Sequence, residues 1–158
     1  MDMDEERIEK AVELFKSGYN CSQSVVAAFA DMYGFSQEQA LRIASSFGGG
    51  IGRMRETCGA ACGMFILAGL ETGSVDAKDR EGKSRNYRIV QELAAEFKAE
   101  NGSIRCADLL GLNKDSKISH EAERRTDAYY AKRPCVKMVE VAARIWSKKL
   151  SEIRQGSI

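Results

Sequence analysis

Along most of its length the chain spaces its apolar residues by three and four and hardly ever alternates them, a pattern that commits it to helices rather than sheet. Ile8, Ala11, Val12 and Phe15 share one stripe between Asp4 and Lys16, and Val25, Val26, Phe29 and Met32 share the next. Leu41, Ile43, Ala44 and Phe47 form a third. Tyr87, Val90, Leu93, Ala94 and Phe97 mark a longer helix, and Val136, Val139, Ala143, Trp146 and Leu150 mark the last.

The punctuation agrees with the periodicity. Asn20 is placed to cap the second helix, and Ser36 with Gln39 forms a capping-box pattern for the third. Gly18 and Gly34 are natural stops, and Gly48, Gly49, Gly50 and Gly52 break the third helix. A fourth helix is expected after Thr57 to about Leu70, then a charged loop over 73–82 and a fifth helix over 84–100. Ser103 caps a short turn through Leu109 and Leu110, and a brief helix is expected over 121–131. Pro134, the one proline, suits the first turn of the last helix. The expectation is one all-α, compact multi-helix domain over 1–158, with a helical core at 4–150 and a loose tail at 151–158.

Twenty-four basic against 23 acidic residues leave a net charge of +1, so no global field draws the chain to nucleic acid or an anionic membrane. The acidic opening "MDMDEERIEK" lacks the basic and apolar parts of a signal peptide, and no apolar run is long enough to span a bilayer. A cytoplasmic location without membrane insertion is therefore expected. In a reducing compartment Cys21, Cys58, Cys62, Cys106 and Cys135 lean towards redox chemistry or metal binding rather than permanent disulfides.

Four of the five fall at expected helix starts: Cys21 after Asn20, Cys58 after Thr57, Cys106 three beyond Ser103 and Cys135 after Pro134. Unpaired amides and the positive end of the macrodipole favour thiolate there, so a lowered pKa is expected at each, helped by nearby Arg53, Arg55, Arg105 and Arg133. By helical stripe all face the interior, where they can converge as a buried cluster. Cys58 and Cys62 are four apart, with Cβ atoms ~5–6 Å from each other in a helix. A disulfide needs ~3.5–4.5 Å, so each requires a partner from elsewhere or a shared metal. Gly59 and Gly63 form a bare neighbouring stripe for a close approach.

Cys21, Cys58-Gly59-Ala60-x-x-Gly63, Cys106 and Cys135 together resemble the C_GCAxxG_C_C family of redox-active proteins. The supporting segments are "GYNCSQSV", "FGGGIGRM" and "NGSIRCADLLG", and the resemblance runs from about Ile8 to Trp146. Carried over by position, the family's four cysteines are Cys21, Cys58, Cys106 and Cys135, and Cys62 is an addition. The resemblance implies thiol redox chemistry and identifies no substrate or redox partner.

Three functional readings follow. The first is thiol–disulfide exchange or electron transfer, a thiol-based oxidoreductase with Cys21, Cys58, Cys106 and Cys135 as redox thiols and Cys62 auxiliary. The second uses the same four cysteines as ligands of Zn²⁺ or an iron–sulfur cluster, although their spacing matches no compact ligand motif. The third is a helical interaction domain whose cysteines only pack. The "FGGGIGR" stretch lacks both nucleotide fingerprints, so a tight turn that brings two helices together is favoured over an anion cradle. His120 lies in a polar segment and reads as a surface residue.

Overall fold

The computed structural model describes residues 2–158, the side chain of Met3 excepted. Eight α-helices follow in order among the described residues: α1 Met3–Lys16, α2 Cys21–Ala27, α3 Gln37–Ala44, α4 Gly59–Thr72, α5 Arg80–Asn101, α6 Cys106–Leu109, α7 Asp127–Lys132 and α8 Cys135–Arg154. Two 3₁₀ turns, Ala30–Tyr33 and Ser45–Phe47, flank α3. The described residues hold no strand, only one isolated antiparallel bridge between Thr57 and Arg105, so the all-α expectation holds. No helix among them is long and apolar enough to cross a membrane.

Helix α4 is apolar nearly all round and so lies inside, with α2, α5 and α8 packed on it. Phe15, Phe29, Met64, Leu67, Leu93, Phe97 and Trp146 fill the main core between these helices and α1. A smaller group, Leu14, Val26, Ala27, Ala30, Ala40 and Ala44, seats α3 against α2. The bare stripe on α4 is where α2 comes closest. A Cβ on Gly63 would stand 2.8 Å from Cβ of Val25, and one on Gly59 would stand 3.3 Å from Cβ of Cys21. Two positions without side chains thus let Cys21 lie directly against the start of α4.

Both capping boxes form, at Asn20 with Gln23 and at Ser36 with Gln39, and Gly34 ends its segment in the left-handed conformation. Other boundaries differ for identifiable reasons. The second helix stops at Ala27 because the Ala28 carbonyl accepts from the Arg7 guanidinium, which also pairs with Asp31 at 2.6 Å. The fifth starts at Arg80 because the Asp79 carboxylate accepts from the Gly82 amide and caps it. Residues 121–126 are not helical, since Arg53 takes the carbonyls of Ser119 and Glu121; α7 begins only after Thr126, whose hydroxyl caps it. The last helix continues past Leu150 to Arg154, which pairs with Glu71 at 3.0 Å.

Candidate functional site

After the 3₁₀ turn at Ser45–Phe47 the backbone turns left-handed. Gly49, Gly50, Ile51, Gly52 and Arg53 have φ of 66°, 74°, 66°, 56° and 61°, and Arg55 has 63°. Each of the three residues with a Cβ carries ~1–2 kcal/mol of strain in that conformation. Backbone bonds inside the loop hold it, among them Gly52 N–H to Ser46 O at 2.7 Å and Glu56 N–H to Gly50 O at 2.9 Å. The amides of residues 51–56 are all used in this way, so they make a tight turn rather than an anion cradle, as the sequence favoured. The loop wraps Cys106 closely: a Cβ on Gly50 would lie 2.5 Å from Cβ of Cys106.

The bridge of Thr57 with Arg105 then ties two cysteines together. Cys58 N–H donates to Ile104 O and Cys106 N–H to Glu56 O, both at 2.6 Å. This pairing explains why the caps differ from Thr57 and Ser103: Cys58 itself is the N-cap of α4 and Arg105 that of α6. Cys58 and Cys106 occupy diagonal positions across the bridge, ~7–8 Å apart.

All four frame cysteines stand at helix starts, Cys58 as N-cap and Cys21, Cys106 and Cys135 as the first residues of α2, α6 and α8. They line one cavity of about 430 Å³. Cys21, Cys58 and Cys106 are only 8%, 5% and 8% exposed, whereas Cys135 is half-buried. Every pair among the four is close enough for one charge to influence the other. Cys62 stands apart, a turn further along α4 and outside the cavity, where its thiol donates to the Thr57 carbonyl at 3.8 Å. The auxiliary role expected for it finds no partner among the other thiols. All five are free thiols.

The expectation of lowered pKa values is met at one cysteine and corrected at three. The neighbouring Cys21 thiol brings Cys135 down to about 7, against its burial, with help from Arg133, Arg125 and Arg55. Cys135 in turn, together with burial and the other neighbouring sulfurs, holds Cys21 well up. Burial pushes Cys58 up to about 12, although the Ala61 and Ala60 amides oppose it. Burial also raises Cys106, against the Arg55 guanidinium 3.7 Å from its sulfur, and takes Cys62 to about 11. Desolvation outweighs the helix dipole wherever no strong charge or hydrogen-bond partner joins it. Because the fold favours the Cys135 thiolate, the stability this adds is complete above the unfolded thiol's pKa and is lost as pH falls through about 7.

Four arginines line the cavity, Arg53, Arg55, Arg125 and Arg133, against a single acid, Glu123, which pairs with Arg133. Arg105, expected to join them, instead faces Glu56 and Asp108. Arg125 takes its place, and local sequence gave no sign of it. Its guanidinium stacks 4.3 Å from the Phe15 ring centre and 4.8 Å from that of Tyr129, and donates to the Phe15 and Tyr19 carbonyls at 2.8 Å. His120 is exposed, as expected, but at the cavity's edge. Among the described residues no three Cys, His, Asp or Glu side chains converge closely enough to hold a metal ion. The sulfurs surround a common space and do not meet at one point.

No curated protein and no solved structure matches the chain. Residues 19–149 match the model of one family, described as "putative redox-active protein (C_GCAxxG_C_C)". That span runs from just before Cys21 to beyond Trp146 and takes in all four cavity cysteines, and the chain belongs to the C_GCAxxG_C_C family.

Proposed function

We propose that the protein is a thiol-based oxidoreductase that exchanges electrons with disulfides through Cys135 and Cys21, inside the cytoplasm. The observation that carries this reading is the unequal pair on the cavity wall: a half-buried thiol at the start of a 20-residue helix, beside a buried one that lines the same cavity. A nucleophile that is partly thiolate at neutral pH, beside a protonated resolving thiol, is what disulfide exchange requires.

In the forward direction the Cys135 thiolate attacks one sulfur of a substrate disulfide. The substrate S–S bond breaks, one thiolate leaves, and a mixed disulfide forms on Cys135. Cys21 then loses its proton and attacks the Cys135 sulfur, expelling the second thiolate. The protein loses two electrons and holds a Cys21–Cys135 disulfide; the substrate becomes two thiols. A dithiol reductant returns the protein to its starting state by the reverse exchange. Cys58 and Cys106, held protonated by burial, are the second pair of thiols in reach.

Native mass spectrometry of protein purified without air, before and after mild oxidation, tests this. The expected result is a reversible loss of two hydrogens, with peptide mapping joining Cys21 to Cys135. Extra mass that survives in the native protein and disappears on denaturation would hand the four thiols to a bound metal or cluster instead. No bound mass and no reversible oxidation would leave them as packing. A pH series adds a second check. Alkylation of Cys135 by iodoacetamide is expected to rise about tenfold per pH unit up to pH 7 and then flatten, because only the thiolate reacts. An ordinary thiol would keep accelerating to about pH 8.5.

A further inference from the structure

Three of the cavity's four thiols are almost wholly covered, so a disulfide on the surface of a folded protein reaches at most the half-buried Cys135 and does not enter the space they line. A small molecule does. The charge of the lining narrows the class further. At neutral pH Glu123 and the partly ionised Cys135 answer at most two of the four arginines, which leaves at least two positive charges unmatched by an acid of the lining. Among the described residues Arg53, Arg55 and Arg125 meet no carboxylate within ion-pair distance, and Arg55 makes its one polar side-chain contact with the Cys106 sulfur. Burial and the like charges of Arg55 and Arg133 disfavour the charged form of Arg53. A partly desolvated surplus of this kind is relieved by an incoming anion.

We infer that the substrate is a small disulfide bearing carboxylates or comparable anionic groups, held by Arg55 and its neighbouring arginines while its sulfur meets Cys135. This rests on the exchange reading above and follows the same balanced steps: the Cys135 thiolate displaces one carboxylate-bearing thiolate, Cys21 displaces the other, and two electrons pass to the substrate.

Three symmetric disulfides of similar length separate the charge effect from the chemistry: 3,3′-dithiodipropionate with two carboxylates, uncharged 2-hydroxyethyl disulfide, and cystamine with two ammonium groups. The rate at which each oxidises the reduced protein is divided by its rate with dithiothreitol, which removes differences in intrinsic reactivity. Suberate, which replaces the S–S of the dicarboxylate with two methylenes, reports binding by calorimetry without redox chemistry. The expected result is a normalised rate at least about tenfold higher for the dicarboxylate than for cystamine at low salt, a gap that closes at high salt. Arg55→Gln should shrink the gap and weaken suberate binding severalfold, while Arg55→Lys keeps part of both. Neither change adds backbone strain, since Gln and Lys meet the same left-handed φ as Arg.

Equal normalised rates together with no suberate binding would overturn the anionic substrate and leave the exchange reading intact. Suberate binding that depends on Arg55, with no oxidation by any of the three, would overturn the exchange reading and with it the disulfide substrate.

Discussion

Cys135→Ser is expected to abolish the reversible loss of two hydrogens and to slow thiol labelling at pH 7 roughly a hundredfold, because reactivity follows the thiolate fraction. With its pKa at about 7, Cys135 is about half ionised at neutral pH. Cys58 at about 12 and Cys62 at about 11 are essentially all thiol, and Cys106 is raised as well. Cys21 loses its Cys135 neighbour in this variant, but burial still holds it protonated. Serine is close to cysteine in size and sits at the first position of α8, so the fold should persist, which a thermal melt verifies. The companion Cys21→Ser is expected to behave differently. Cys135 should still attack a disulfide, and the mixed disulfide should then accumulate because nothing resolves it. Mass spectra after brief exposure to a small disulfide distinguish the two. A Cys135→Ser protein that labels at the original rate, or still loses two hydrogens reversibly, would assign the nucleophile elsewhere.

Gly50→Ala is expected to be the most disruptive single-methyl change. Gly50 has φ of +74°, where an alanine carries ~1–2 kcal/mol of strain. The added Cβ would also lie 2.5 Å from Cβ of Cys106, 2.7 Å from the Arg55 α-carbon and 2.8 Å from the Glu56 nitrogen. Two of these are backbone atoms of a loop held by its own hydrogen bonds, so no side-chain rotation relieves the clash. Overpacking adds ~1–3 kcal/mol. A total of ~2–5 kcal/mol corresponds to a Tm drop of ~4–20 °C for a chain of this size. Gly102→Ala is the control, since it has φ of +87° with nothing within 4 Å of the added Cβ and should show the backbone part alone. Gly50→Ala should also speed the labelling of Cys106, because the loop that covers it must move. Equal losses of stability in the two variants would mean the loop is not tightly built against Cys106.

What the sequence revealed and what it concealed divide by range. Caps depend on residues three apart, so Asn20 with Gln23 and Ser36 with Gln39 were readable, and with them the placement of Cys21. The starts at Cys58, Cys106 and Cys135 were also placed correctly, although those helices carry no side-chain cap and the caps expected at Thr57 and Ser103 did not form. Arg125 was not, because its importance lies in carbonyls 106 and 110 residues away and in three aromatic rings drawn around it by folding. Thr57 looked like a cap and became half of a bridge, a role decided by Arg105 far along the chain. Nothing in the side chain of Ile51 announces a left-handed backbone; the glycines around it and the packing of Gly50 against Cys106 impose it. The rise in three thiol pKa values was likewise hidden, since a helix terminus is local and its desolvation is not.

The cavity draws its thiols from Cys21 to Cys135, and α8, which brings the last of them, packs on both α1 and α4. In the ribosome's order of synthesis this makes Cys135 the final thiol delivered. Cys21, Cys58, Cys62 and Cys106 all emerge before the apolar face of α8 exists to cover them. At ~5–20 residues per second, the interval between the emergence of Cys21 and that of Trp146 is ~6–25 s. During that time a nascent chain accumulates uncovered thiols, four of them before Cys135 emerges. An oxidant met then can join cysteines the finished fold keeps apart, so every new chain depends on the reductants of its surroundings until its last helix docks.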